Sequence, residues 1–141
     1  MGTRRKIGKK IASRHKISRG LLNGSRLKIA DNSGAKIIEI INVDGLHTRL
    51  NRIPAAAIGN VVSCTVKKGK PELRGQIMKA VIVRQRKLYK RIDGTRLCFE
   101  DNAAVLISKE GDPKGTEIRG PIAREVAELY PRLASIASLI V

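Results

Sequence analysis

Apolar and polar residues alternate along several short stretches of the chain, and such alternation is typical of β-strands with one buried face. In RLKI, residues 26–29, the two apolar side chains fall on one side and the two basic ones on the other. The run AKIIEIINV, residues 35–43, is rich in β-branched residues and lies between the turn formers DNSG at 31–34 and Asp44-Gly45. We therefore expect two strands with a turn between them.

Two further strands are predicted in the middle of the chain. NVVSCTV, residues 60–66, places alternate residues from Val62 onward on one face. IMKAVIVRQ, residues 77–85, contains an apolar run at 80–83 that fits burial on both faces. Between them we expect KKGKPELRG, residues 67–75, to lack regular structure because it contains two glycines and a proline.

A basic ribbon is predicted next. RQRKLYKR, residues 84–91, holds five Lys or Arg in eight positions, and Asp93-Gly94 is a strong hairpin signal before TRLCFE, residues 95–100. AAVLI, residues 103–107, fits a short buried strand that ends at the turn residues GDPKG. Several short strands joined by tight turns favour a mainly β fold, a small barrel.

Helical spacing appears only near the C-terminus. Pro121 suits the first position of a helix, and the apolar residues that follow recur at intervals of four and three. Pro131 excludes one continuous helix, so we expect two short helices at 121–130 and 131–138. Residues 46–59 carry neither pattern clearly, and we expect a loop or a short ribbon there.

The chain length fits one domain. The protein has 141 residues, of which 42% are hydrophobic and only 2% aromatic, so the core must consist of aliphatic side chains. We assign residues 21–141 to a single β-barrel domain that includes the C-terminal helices of 121–141. Residues 1–20 contain eight Lys or Arg and no acid, and we expect a basic arm that orders on a partner.

Positive charge is concentrated in two blocks. The formal net charge is +17; residues 1–20 contribute +8 and residues 67–96 contribute +9, whereas residues 97–141 net −2. An excess of this size is self-repelling unless a polyanion neutralises it. The distribution therefore favours a nucleic-acid partner, with a different kind of contact at the C-terminal third.

No catalytic or metal-binding constellation is apparent. His15 and His47 lie in an arm and beside a turn, where neither can serve a nucleophile. We expect Cys64 and Cys98 to be reduced core residues, the aspartates to stabilise turns, and the helix carboxylates Glu125 and Glu128 to be solvated. An enzyme, a cofactor and a metal site are therefore not expected.

A membrane location is also not expected. The chain lacks an apolar stretch of the roughly 18 residues that a membrane span needs, and MGTRRKIGKK lacks the apolar centre of a signal peptide. The basic segments have no apolar face with which a helix could lie on a bilayer. We expect a cytoplasmic protein.

The basic cluster predicts binding to a folded RNA. With almost no aromatic residue beside it, stacking on single-stranded bases is disfavoured, and recognition by shape and phosphate contact is favoured. A general, chromatin-like binder of duplex nucleic acid is the alternative. The cluster comprises Lys67, Lys68, Lys70, Arg74, Arg84, Arg86, Lys87, Lys90, Arg91 and Arg96.

Five segments carry a family resemblance: LKIADNSGAK (27–36), VVSCTVKKGKPELR (61–74), AVIVRQRKLYKRIDG (80–94), FEDNAAVLI (99–107) and PKGTEIRGPIAREVAELYPRLASIASLIV (113–141). Together they resemble the universal ribosomal protein family number fourteen of the large subunit, in its archaeal form. The resemblance implies a closed five-stranded β-barrel with a projecting β-ribbon and two short C-terminal α-helices, without enzymatic activity. It also implies a place in the cytoplasmic ribosome.

The resemblance further implies partners. They are large-subunit ribosomal RNA, small-subunit ribosomal RNA at an intersubunit bridge, neighbouring large-subunit proteins and the anti-association initiation factor. Carried over by position, the 67–70 loop and the ribbon contact RNA. The bridge or a protein neighbour is contacted by Thr116, Glu117, Arg119 and Arg132. No contact carries over to the N-terminal arm, which we expect to thread into RNA through Arg4, Arg5, Lys9 and Lys10.

Overall fold

A computed structural model describes residues 16–46 and 48–141. In chain order the elements are strands β1 Leu21–Leu22, β2 Arg26–Ile29, β3 Ala35–Val43, β4 Ala55–Ala56, β5 Val61–Gly69, β6 Ile77–Arg84, β7 Tyr89–Lys90, β8 Arg96–Leu97, β9 Ala103–Ile107 and β10 Ile118–Ile122, helices α1 Arg124–Leu129 and α2 Pro131–Ile136, and strand β11 Ala137–Ile140.

Five of these strands form a closed barrel in the order β2-β3-β5-β6-β9. Neighbours are antiparallel, except that β2 and β9 close the barrel as a parallel pair, with Lys28 opposite Ala103. Every residue of β9 is buried. The prediction of a closed five-stranded barrel with a ribbon and two short helices is confirmed.

The alternation of strand directions gives the barrel two distinct ends. One end carries the connections after β2, β5 and β9, which are residues 30–34, 70–76 and 108–117. The opposite end carries the β3–β5 and β6–β9 connections together with the chain that leads into β2. We call these the loop end and the ribbon end.

The core is aliphatic, as its composition requires. Alternate residues of β5, Val62, Cys64 and Val66, point inward, and so do Leu27 of β2 and Ile38 of β3. The run at 80–83 is buried throughout, as predicted. Cys98 is exposed, so the expectation that both cysteines belong to the core is wrong for this one.

Strand β5 continues to Gly69, where the sequence predicted irregular structure. Gly69 pairs with Ala35 of β3 and has φ +149°, a conformation that side chains rarely adopt. A Cβ on Gly69 would lie 2.8 Å from the Cα of Ala35. The glycine therefore permits a close approach of the paired strands β3 and β5, and it does not end β5.

The segment from β10 to the C-terminus, residues 118–141, is called the C-terminal unit, and it differs from the prediction at both ends. Pro121 lies in β10, not in a helix, and α1 begins only after Ala123, whose backbone is extended. After α2 the chain forms β11, which pairs in parallel with β10 and which helical spacing did not predict. The two helices thus connect two parallel strands beside the barrel.

Two further features bear on the expected organisation. Residues 16–20 lie against the barrel, with Ile17 packed on the core and Ser18 O accepting a hydrogen bond from Gln85 Nε2 (2.9 Å). Within the described residues, none of the helices has the length and apolar character that a membrane crossing needs.

Candidate nucleic-acid interface

The basic ribbon projects from the ribbon end between β6 and β9. Its tip is a hairpin in which β7 pairs with β8, and Asp93 Oδ1 accepts the Thr95 N–H (2.9 Å) across the turn. This backbone bond holds the pKa of the fully exposed Asp93 below its ordinary value. The predicted RNA-contacting side chains exposed here are Arg86, Lys87, Lys90 and Arg96.

The base of the ribbon is fixed by a fully buried glutamine. Gln85 Oε1 accepts the Ile58 N–H (3.2 Å), and Gln85 Nε2 donates to Ser18 O and Lys87 O. Arg86 N–H donates to Asn102 Oδ1 (2.8 Å), which ties the two arms together. The exposed cations of the ribbon therefore have an ordered backbone beneath them.

Arg84 belongs to this base and not to the exposed surface. Only 9% of the residue is accessible. Its guanidinium group pairs with Asp101 (2.9 Å) and donates to the carbonyl oxygens of Arg119 and Pro121, both at 3.0 Å. The sequence predicted an RNA contact, but the structure directs this cation at protein acceptors.

Arg91 is likewise engaged within the protein. Its Nε donates to Glu125 Oε1 (2.8 Å) and its Nη2 to Val141 O (2.7 Å). Burial opposes ionisation of Glu125, but the bonds and charge of Arg91 outweigh it and hold the Glu125 pKa below its ordinary value. The expectation that Glu125 is solvated is wrong, since it joins α1 to the ribbon.

Tyr89 completes this contact. Its ring is buried and its hydroxyl donates to Glu125 Oε2 (3.2 Å). Burial, followed by the nearby Glu125 charge, raises the pKa of Tyr89 to about 12. The Tyr89 ring is thus part of the core and is not exposed for stacking.

The second group of predicted contacts lies at the loop end. Lys67 and Lys68 are exposed near the end of β5, just before Gly69, and Lys70 and Arg74 follow in the connection to β6. That connection is ordered, because the N–H groups of Leu73 and Arg74 both donate to Lys70 O. The predicted RNA-contacting residues are therefore divided between the two ends of the barrel.

The predicted bridge residues share the loop end with this basic connection. Asn32 Oδ1 accepts the Thr116 N–H (2.8 Å), and Asn32 Nδ2 donates to Thr116 Oγ1 (2.7 Å). Glu117 and Arg119 are exposed and pair weakly with each other (3.5 Å). Arg132 pairs with Asp112 of the neighbouring loop. Thr116, Glu117 and Arg119 thus lie close together in the chain, whereas Arg132 contacts the same connection through Asp112.

Some predicted contacts lie outside the described residues, and some exposed cations were not among the predicted contacts. Arg4, Arg5, Lys9 and Lys10 lie outside the described residues. The predicted set omitted exposed cations on the outer face of the barrel strands. Their period-two spacing is a usable signal, and they include Lys28 and Lys36.

Asp44 and Cys64 have structural roles. Asp44 pairs with Lys79 (2.5 Å) beside an open cleft, and the Lys79 bond lowers the Asp44 pKa. Burial raises the pKa of Cys64 to about 12, so its thiol is not a nucleophile near neutral pH. Among residues 16–46 and 48–141, no group of His, Cys, Asp or Glu side chains is placed to hold a metal ion.

The closed barrel holds exposed cations on ordered projections, and its buried charged groups form internal ion pairs. These features define a structural protein. Comparison with known families agrees: residues 20–141 match the family described as Ribosomal protein L14p/L23e. The large ribosomal subunit protein uL14 of Picrophilus torridus is 52% identical over 124 residues, which cover 88% of this chain and 94% of that protein.

The chain therefore belongs to the L14p/L23e family of ribosomal proteins, in its archaeal form. It is a structural constituent of the large ribosomal subunit, it is not an enzyme, and it acts in the cytoplasm within the ribosome.

Proposed function

We propose that the protein binds large-subunit ribosomal RNA at both ends of its barrel, through the ribbon and through the connection between β5 and β6. The observation that carries this proposal is the exposure of Arg86, Lys87 and Arg96 on an ordered ribbon. The base of the ribbon is held by the hydrogen bonds of Gln85 and Asn102. Cations fixed in this way can neutralise a phosphate backbone that runs along the ribbon.

The contact is made to phosphates and to RNA shape. Tyr89 is buried, and Phe99 and Tyr130 are packed against the core, so the rings of the described residues are poorly available for base stacking. Arg86 and Arg96 have planar guanidinium groups suited to paired phosphate oxygens, whereas lysines act as point charges. We expect recognition of a folded RNA whose phosphates match the spacing of these cations.

The neighbouring surface at the loop end has a different character. Thr116, Glu117, Arg119 and Arg132 mix charges of both signs, which suits a small, specific contact better than a long phosphate track. We propose that this surface contributes to the intersubunit bridge with small-subunit RNA, or meets a neighbouring ribosomal protein or the anti-association factor. The basic arm of residues 1–20, with Arg4, Arg5, Lys9 and Lys10, is expected to extend the RNA contact.

Salt dependence of binding tests the RNA proposal. Lys87, Lys90 and Arg96 are replaced together by Ser, and affinity for deproteinised large-subunit RNA is measured over a range of salt concentrations. We expect the log–log slope to become shallower by about 2, because each neutralised phosphate contributes roughly 0.7 to 0.9. The control replaces Lys79 and Lys109, two exposed cations that belong neither to the ribbon, nor to the connection between β5 and β6, nor to the predicted bridge residues, and it should keep the wild-type slope.

Two results would contradict the proposal. Equal slopes for the ribbon variant and the wild type would show that the ribbon is not an RNA contact. Equal affinity for generic duplex DNA and for large-subunit RNA would favour the general duplex binder instead. The bridge proposal is tested separately, by sedimentation of subunits that carry Arg119→Ser and Arg132→Ser: weaker association at low magnesium supports it, and unchanged association rejects it.

A further inference from the structure

A tight turn at residues 49–52 projects from the ribbon end and was not among the predicted contacts. Arg52 N–H donates to Arg49 O (3.1 Å), and Asn51 has φ +64°. A positive φ at the third residue of a hydrogen-bonded turn is the pattern of a type II turn, for which Asn is well suited. Leu50 therefore occupies the apex, between two arginines.

The apex is apolar and exposed. Leu50 is 92% accessible and Ile53 is 60% accessible. The bond from Asn23 N–H to Pro54 O extends the β1–β4 ladder by one residue pair. In this register Ile53 lies diagonally beside Leu22 on the same outward face. Leu22 is 48% accessible. An apolar apex thus continues into an apolar surface at its base.

The charges around the turn are all positive. In the described part of the chain, neither Arg49 nor Arg52 pairs with a carboxylate. Asp44, the preceding acid in the sequence, is held by Lys79 and Ser63. The first and fourth residues of a turn lie within about 7 Å of each other. Two cations are therefore concentrated beside one protruding leucine.

We infer that residues 49–52 form a second RNA-binding element, in which Leu50 packs into an irregular, unstacked segment of RNA while Arg49 and Arg52 bind the flanking phosphates. The inference rests on the RNA-binding function proposed above. Apolar wedges flanked by cations are a known means of inserting between nucleic-acid bases. The unpaired arginines favour a polyanion over a protein surface, which would need carboxylates opposite both cations.

Directed hydroxyl-radical probing locates the element. Iron chelate is attached to a cysteine introduced by Leu50→Cys, in a protein whose exposed Cys98 is replaced by Ser, and the protein is assembled into large subunits. Lys87→Cys reports on the ribbon, and Glu128→Cys on the exposed face of α1. We expect radicals from position 50 to cut one discrete RNA segment more strongly than those from position 128.

The outcomes separate the two proposals. Cutting from position 87 but none above the control from position 50 would overturn the second element and leave the ribbon proposal intact. Absence of cutting from both positions would overturn both. Cleavage of a neighbouring protein by radicals from position 50, without RNA cutting, would identify the turn as a protein contact and also reject the inference.

Substitutions distinguish insertion from simple charge attraction. Leu50→Ser should weaken binding to deproteinised large-subunit RNA about tenfold, the loss expected when a largely buried leucine is replaced, and should leave the salt slope unchanged. Arg49→Ser with Arg52→Ser should make the slope shallower by about 1.5. Leu139→Ser, an exposed apolar position on β11, is the control. Wild-type affinity for Leu50→Ser at unchanged melting temperature would reject insertion.

Discussion

Arg91 of the ribbon and Glu125 of α1 form a 2.8 Å ion pair that joins the predicted RNA-contacting ribbon to the C-terminal unit. Both side chains are largely shielded from water, and the Tyr89 hydroxyl and Val141 O share the contact. Because the lowered pKa of Glu125 originates here, this pair makes the stability of the protein depend on pH.

Glu125→Gln tests that dependence. The folded-state pKa lies below the ordinary value of about 4.3, so the ionised pair stabilises the wild type above that pH and is lost as pH falls through the folded-state pKa. We expect the variant to be less stable by about 1 to 2 kcal/mol near neutral pH, with the difference shrinking in acid. Urea unfolding at several pH values measures this. A difference independent of pH, or an equal effect in Glu128→Gln, would contradict it.

Arg84 and Lys87 should separate stability from RNA affinity. Arg84→Met removes the guanidinium group from the partly exposed Asp101 and from two carbonyl oxygens, and should cost about 2 kcal/mol of folding free energy. Lys87→Met should leave the melting temperature unchanged and make the salt slope of RNA binding shallower. Thermal melts and salt titrations on both variants check the pair. A melting temperature for Arg84→Met equal to that of the wild type would show that the buried pair contributes little.

Gly69→Ala should be strongly destabilising. The added Cβ would meet the Ala35 Cα and the Gly34 carbonyl oxygen, both at 2.8 Å, and backbone atoms cannot move aside cheaply. We expect a loss of about 2 to 4 kcal/mol in the free energy of unfolding. Gly75→Ala, which has positive φ but open space around it, should lose only about 1 kcal/mol. Equal losses would mean that backbone strain, and not the close contact between β3 and β5, determines the requirement for glycine at position 69.

The two thiols should differ in reactivity. Cys98 is exposed, whereas Cys64 is buried and its pKa is raised to about 12. At about pH 8, near the ordinary pKa of a thiol, iodoacetamide should modify Cys98 rapidly and Cys64 only after unfolding. Mass spectrometry of the folded and urea-treated protein measures both rates. Rapid labelling of Cys64 in the folded protein would contradict its burial.

The barrel strands could be predicted because their signal is local. Alternation identified β2, β-branched residues between turn signals identified β3, and the doubly buried run identified β6, with bounds close to those observed. The closure of β2 on β9 and the pairing of β11 with β10 join segments distant in sequence, so no local pattern specifies them. The residues of β11 also continue the apolar spacing of α2, which explains why a helix was predicted there.

The sequence predicted the candidate interface only as a cluster of positively charged residues, without showing which of them are exposed. Arg84, Lys87 and Arg91 are equivalent in sequence, yet two of them pair with carboxylates that lie 17 and 34 residues away. Only the folded chain separates the cations that pair within the protein from those that remain exposed. The 49–52 turn was missed for the opposite reason, since two arginines and one leucine form no conspicuous cluster in sequence.

The length of the barrel strands sets the distance between the two basic ends. A nine-residue strand such as β5, tilted as barrel strands are, separates the ends by about 20 Å. A closed barrel has no free edge strand, so its strands cannot shift past one another and the length of the barrel is fixed. Under the proposed function, the protein would act as a rigid spacer between two stretches of RNA and would set their separation as well as bind each one. A loss of barrel rigidity would then disturb the particle even where every surface cation is retained.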